Sequence, residues 1–155
     1  MPPIEHWRSW PVSDVVIDSS VAIAWVLADE PAHGDALRFM EALSDGTFDP
    51  VVAGHFRFEI RHALVRAARR GRVEWADLPT WLAALDALEA RTAPLSDADA
   101  PVLELAQNHQ LTWSDAHWVE TAIRLDLPLV TADLRLIRSV PDDVAILVDV
   151  RGAAA

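Results

Sequence analysis

Asp14-Val-Val-Ile-Asp18-Ser-Ser-Val21 and, more than a hundred residues later, Pro128-Leu-Val-Thr-Ala-Asp133 decide the fold. Each is a short, unbroken apolar run that ends at once in a small polar residue or an acid. Runs this short and this apolar suit strands buried on both faces, and the residues after each run have helical spacing. Val15 to Asp18 therefore reads as a strand, and Ser20 to Ala28 as the helix after it, with Ser19 or Ser20 as its cap. Leu129-Val130-Thr131 reads as a second strand, and Ala145 to Val148 as a third. Val51-Val52-Ala53 is too short to assign on pattern alone.

Between these runs the spacing predicts helices over His33–Leu43, Phe56–Arg70 (stopped by Gly71), Trp75–Ala90, Asp97–Gln107 and Ser114–Leu125. Apolar strands alternating with helices argue for an α/β domain, a short parallel sheet flanked by helices in three layers. In such sheets, ligands bind beyond the carboxyl ends of the strands. Residues 1–13 read as an irregular arm, 14–151 as the domain and 152–155 as a frayed tail.

Composition narrows the chemistry. The chain has 155 residues, 52 % of them hydrophobic, enough for one packed domain. Cysteine is absent, which excludes disulfides, thiolate zinc sites and cysteine nucleophiles. All thirteen basic residues are Arg, which excludes Schiff bases and phosphate grips that need Lys. The N-terminal residues hold no apolar stretch of signal-peptide kind, and no run is long enough to span a membrane, so the cytoplasm is the expected location. The formal net charge of −11 is unfavourable for broad contact with a phosphate backbone. Any nucleic-acid substrate would have to be gripped locally.

Four acids stand out by position. Asp18 closes one apolar strand and Asp133 lies two residues beyond another, although either could simply cap the next helix. Asp115 opens the apolar stripe formed by Trp118, Val119 and Ala122, while His117, Glu120, Thr121 and Arg124 occupy the opposite flank. A first-turn acid favoured by the helix dipole accounts for it equally well. Glu59 borders the stripe of Phe56, Ile60, Ala63, Leu64 and Ala67, where pairing with His62 or Arg66 is the simpler explanation. No one of the four is decisive alone.

Other chemistries fit less well. Six His include no His-Glu-x-x-His or comparable zinc spacing. No Gly-x-Ser-x-Gly elbow supports a serine hydrolase. Receiver domains and haloacid-dehalogenase-like phosphatases need a Lys that this chain lacks. Trp25, Trp81 and Trp118 fall at apolar helix positions, as core or interface residues do.

Taken in order, the acids and their surroundings resemble those of PIN-domain ribonucleases, specifically the VapC-type toxins of toxin–antitoxin pairs. The segments concerned are Val-Ile-Asp18-Ser-Ser-Val, Phe-Glu59-Ile-Arg-His-Ala-Leu, the Arg-Arg-Gly-Arg-Val just after it, Leu-Thr-Trp-Ser-Asp115-Ala and Leu-Pro-Leu-Val-Thr131-Ala-Asp133, spanning about Val15 to Val150. Many relatives carry Tyr before the third acid, where this chain has Ser114, and Asn after the second, where it has His62. The resemblance implies RNA cleavage with Mg²⁺ or Mn²⁺, a homodimer, and a cognate antitoxin that inhibits through a basic segment. It makes Asp18, Glu59, Asp115 and Asp133 the metal-binding catalytic acids, with Ser19 and Thr131 supporting them. Hard divalent cations prefer such oxygen ligands. Arg66 and Arg70, on the flank of Glu59, are the candidate RNA contacts. The alternative is a catalytically silent module of the same fold that binds RNA or a protein partner.

Overall fold

A computed structural model describes residues 14–153. The expected N-terminal arm, residues 1–13, lies outside the described residues, as does the end of the expected tail. The chain runs β1 (Asp14–Ile17), α1 (Ser19–Val26), α2 (His33–Ser44), β2 (Asp49–Ala53), α3 (Phe56–Arg69), α4 (Leu78–Asp86), β3 (Arg91–Ala93), α5 (Asp99–His109), α6 (Trp113–Leu125), β4 (Leu129–Thr131), α7 (Leu134–Ser139), β5 (Leu147–Asp149) and α8 (Val150–Ala153). All four strand pairings are parallel, and the sheet order is β3-β2-β1-β4-β5. The mixed α/β architecture with one parallel sheet is the one expected from the alternating runs.

The two deciding runs lie side by side at its centre. Val16 pairs with Leu129 and Ile17 with Val130. Val15, Val16, Ile17, Leu129 and Val130 are each at most 1 % exposed, so both strands are covered on both faces. The chain builds outward from β1 to β2 and β3 on one side, then crosses to β4 and β5 on the other. The carboxyl ends of β1 and β4 therefore flank the point where the strand order reverses, the usual ligand crevice of an open parallel sheet.

Several elements differ from the sequence-based expectation. Helix α1 starts one residue early, because Asp18 itself is the cap: its Oδ1 accepts from the Ser20 N–H at 3.3 Å. The helix expected over Trp75–Ala90 is a 3₁₀ turn at Trp75–Asp77 and then the shorter α4. Pro79 lies in the first turn of α4, where its fixed φ is compatible with a helix start and its missing N–H costs nothing. The end of that stretch leads into β3, an edge strand whose first two residues are exposed. Gly71 has φ +70° just past α3, as expected of a helix stop. Gln110 and Asp126 hold the same left-handed geometry after α5 and α6, both at φ 54°. Helix α6 is buried on both flanks: His117, Glu120 and Thr121 are as enclosed as Trp118 and Val119. It packs across β1, β2 and β4. Among the described residues, no helix is long and apolar enough to cross a membrane.

Candidate active site

Asp18 is fixed by its place between β1 and α1. It is 5 % exposed, and two hydroxyls donate to the same oxygen, Oδ2: Thr131 at 2.6 Å and Ser20 at 2.8 Å. Ser20 Oγ in turn accepts from the Ala132 N–H (3.0 Å), and Thr131 Oγ1 from that of Asp133 (3.1 Å). The turns after β1 and β4 are thus tied together through Asp18. Its other oxygen, Oδ1, has only 3.3 Å contacts, from Ser19 Oγ and the Ser20 N–H. Burial raises the Asp18 carboxyl from 3.8 to about 6, against the lowering pull of the Thr131 and Ser20 hydrogen bonds, and Glu59 raises it further.

Glu59 reaches this group from the first turn of α3. Ser19 Oγ donates to its Oε2 at 2.8 Å, as does the Trp118 indole N–H at 2.9 Å, and Ser114 Oγ donates to Oε1. His55, the residue before α3, lies 3.6 Å from Oε2. Burial pushes the His55 imidazole below its ordinary range, although Glu59 opposes that shift. A neutral ring makes this contact something less than an ion pair. The partners expected for a solvated Glu59, His62 and Arg66, are not used; His62 instead stacks on Phe58, ring centroids 6.2 Å apart.

Asp115 and Asp133 form a second pair. Asp115 lies in the first turn of α6, where Thr112 caps the helix by accepting the Asp115 N–H at 3.1 Å. Asp133 caps α7, its Oδ1 accepting from the N–H groups of Arg135 (2.8 Å) and Leu136 (3.2 Å). The capping role considered for Asp18 and Asp133 is therefore real at both, and it points each carboxylate at the carboxyl edge of the sheet. The Arg135 guanidinium joins the two outer acids, Nη2 standing 2.6 Å from Asp115 Oδ2 and 3.4 Å from Asp133 Oδ2.

The four acids thus stand as an inner pair joined by Ser19 and an outer pair joined by Arg135. His55 is within electrostatic reach of one member of each, Glu59 and Asp115. In this arrangement no three His, Asp or Glu side chains among the described residues are close enough to hold a metal ion together. The donor set nonetheless suits one: carboxylate and hydroxyl oxygens with no sulfur, a buried carboxyl that resists ionisation, and a guanidinium already occupying the place of a cation between two acids.

Sequence reasoning placed Ser19 and Thr131 beside the acids, and both make the contacts described. It missed Ser20, Ser114, Trp118, His55 and Arg135. Ser20 and Ser114 each adjoin a recognised site residue in sequence, which is the available signal. Trp118 reads as a core residue by its spacing, and it is indeed 1 % exposed, with one polar atom aimed at Glu59. Arg66 and Arg70 are exposed and, among the described residues, have no acidic partner, whereas Arg57 and Arg61 both bind Asp86, at 2.8 and 2.7 Å.

Comparison with known proteins bears on the fold and the family. The crystal structure of PAE2754 from Pyrobaculum aerophilum is similar to the chain, with 26 % identity, a TM-score of 0.67, and coverage of 92 % of this chain and 90 % of that one. No curated protein matches. Residues 15–141 match the PIN domain, a family whose members are generally metal-dependent nucleases. On that match, which takes in most of the chain and all four acids, the protein belongs to the PIN-domain family.

Proposed function

We propose that this protein is a ribonuclease dependent on Mg²⁺ or Mn²⁺ and the toxin of a toxin–antitoxin pair. The observation that carries the nuclease reading is Asp18. A carboxyl held at about 6 by burial, next to Glu59 and at the strand-order reversal, is costly to ionise unless a cation shares the site. Asp18, Glu59, Asp115 and Asp133 would hold that cation, Asp18 through Oδ1, since Oδ2 is committed to Thr131 and Ser20. When bound, a divalent cation supplies Lewis-acid stabilisation of the charge that builds on the phosphate during hydrolysis. The protein's own contribution is orientation. Thr131 and Ser20 fix the Asp18 plane, and Ser19, Ser114 and Trp118 orient Glu59.

The decisive test is cleavage of total RNA by protein stripped of metal, then supplied with Mg²⁺ or Mn²⁺, with the ends mapped. Cleavage that requires the cation and disappears in Asp18→Asn is the expected result. Cleavage retained by a folded Asp18→Asn protein would falsify the site.

The toxin assignment rests on the resemblance, and the charge supplies the mode of inhibition. A chain of net charge −11 is best silenced by a basic antitoxin segment that places an Arg among the acids. A groove of about 800 Å³ between α1, α2 and α4, lined by Trp25, Leu37, Met40 and Leu88 and edged by Glu41 and Glu89, suits the apolar face of a basic amphipathic helix. Co-expression with the neighbouring small gene should yield a complex without nuclease activity; failure to form one removes the toxin assignment. The homodimer is part of the same reading, and sedimentation of the purified chain tests it.

One observation favours a second reading. Arg135 gives Asp115 and Asp133 a resident counter-charge, as a silent binding module would need. Tight RNA or protein binding with no cleavage under any divalent cation would establish that module instead.

A further inference from the structure

Arg135 is the cation of this site that nothing in the sequence singled out. It lies two residues after Asp133, and its own N–H is one of the two that Asp133 caps. Its side chain reaches from α7 to α6 and offers a single nitrogen, Nη2, to one acid on each side. Asp115 holds the guanidinium firmly in its charged form. Despite these contacts the side chain remains 52 % exposed, so it has solvent to move into.

The ion pair uses Asp115 Oδ2 and Asp133 Oδ2, and Asp133 Oδ1 is already taken by the N–H groups of Arg135 and Leu136, so Oδ2 is the Asp133 oxygen open to a cation. A guanidinium and a metal ion repel each other, so a cation drawn to Asp133 Oδ2 competes with Arg135 for it. Once released, Arg135 is an exposed cation at the rim of the site. Its planar fork matches the oxygens of a phosphate better than any other side chain would. We propose that Arg135 is a two-position RNA contact: paired with Asp115 and Asp133 without metal, and released onto a backbone phosphate of the substrate when a divalent cation takes those carboxylates. This inference rests on the nuclease reading.

The test compares wild-type protein with Arg135→Gln, an exposed substitution whose folding a melting curve checks. Calorimetric titration of the metal-free proteins with Mn²⁺ should show the variant binding roughly two- to fivefold tighter, the scale of an exposed ion pair that no longer competes. Binding of a short fluorescent RNA, measured by anisotropy across a salt series, gives the second readout. In EDTA the two proteins should bind alike. In Ca²⁺ the variant should bind more weakly, with a salt slope smaller by about 1, one phosphate contact. Unchanged or weaker Mn²⁺ affinity overturns the proposal, and so does an equal loss of RNA binding in EDTA and in Ca²⁺. A wild-type protein that takes up no Mn²⁺ overturns the nuclease reading and this one together; normal uptake with no response to Arg135→Gln removes only the role of Arg135.

Discussion

The inner and outer acid pairs solve the same electrostatic problem in opposite ways. Around Asp18 and Glu59 the close donors are neutral: the hydroxyls of Ser19, Ser20, Ser114 and Thr131, backbone N–H and the Trp118 indole. Hydrogen bonds of this kind orient a carboxylate but leave its charge in place. Asp115 and Asp133 instead share a full positive charge on Arg135. One of the outer pair's two charges is thus neutralised within the chain. The inner pair can be neutralised only by a proton or by a cation from outside, and the raised Asp18 pKa is the sign of that unmet demand.

The strongest way to break this contrast is to remove one charge from each pair. Asp18→Asn should lower cleavage more than about a hundredfold, since even partners of metal ligands carry ten- to a hundredfold effects. It should also stabilise the metal-free protein at neutral pH. A carboxyl raised from 3.8 to about 6 favours the neutral form in the folded state. Its contribution to stability is therefore fully present below pH 4 and lost as pH rises from 4 through 6, by at most about 3 kcal/mol. Asn has no charge to lose. The variant's advantage should be about 1–3 kcal/mol at pH 7.5 and absent at pH 4. Asp115→Asn breaks only a half-exposed ion pair and should change stability by less than about 1 kcal/mol at either pH. Chemical denaturation at the two pH values checks both; a destabilised Asp18→Asn at pH 7.5 would mean that its hydrogen bonds outweigh its charge.

A different division of the four acids, strand ends against helices, explains what was legible in the sequence. Asp18 and Asp133 could be placed because each comes after an apolar run whose burial is forced by its own composition, and a parallel sheet puts all such runs' carboxyl ends on one edge. Glu59 and Asp115 sit on helices, where spacing gives a face and says nothing of what that face meets. Their partners depend on which side chains of α3, α6 and α7 meet at the edge of the sheet, which no local pattern encodes. Hence Trp118 looked purely apolar and Arg135 looked like any surface Arg. β2 was hard to assign because Asp49 and Pro50 dilute its apolar half, and β3 escaped because an exposed three-residue edge strand needs no hydrophobic pattern.

Trp118 offers a way to sharpen the description of the inner pair. Trp118→Phe keeps a large ring in the core beside His55 and Phe56, while it deletes the N–H donated to Glu59. If neutral donors serve to hold the inner carboxylates for a cation, this variant should lose about tenfold in Mn²⁺ affinity, the low end of the range for deleting a ligand's partner. Part of the same loss would appear as about 1–3 kcal/mol of stability, the range for a hydrogen bond to a charged group together with the smaller ring. Lower stability with unchanged Mn²⁺ affinity would make Trp118 a packing residue alone.

The smallest effect concerns α3, where committed and uncommitted charges recur on one helix. Arg57 and Arg61 are committed to Asp86, as Arg135 is to the outer acids, whereas Arg66 and Arg70 have no acid beside them among the described residues. At 1.5 Å per residue they stand roughly 10 and 16 Å along the axis from Glu59, a span of one to three nucleotides. An acidic protein that grips RNA locally would use its uncommitted cations first. Arg66→Gln with Arg70→Gln should therefore weaken RNA binding and reduce its salt slope by roughly 1 to 2. Arg57→Gln with Arg61→Gln should change the slope less and show instead as a stability loss below about 1 kcal/mol, because both guanidinia are already held by the one Asp86 carboxylate. Equal slopes from the two double variants would mean that pairing in the free protein does not predict which arginines meet the substrate. The grip on RNA would then fall to the carboxylate-bound cation and the rim of the site.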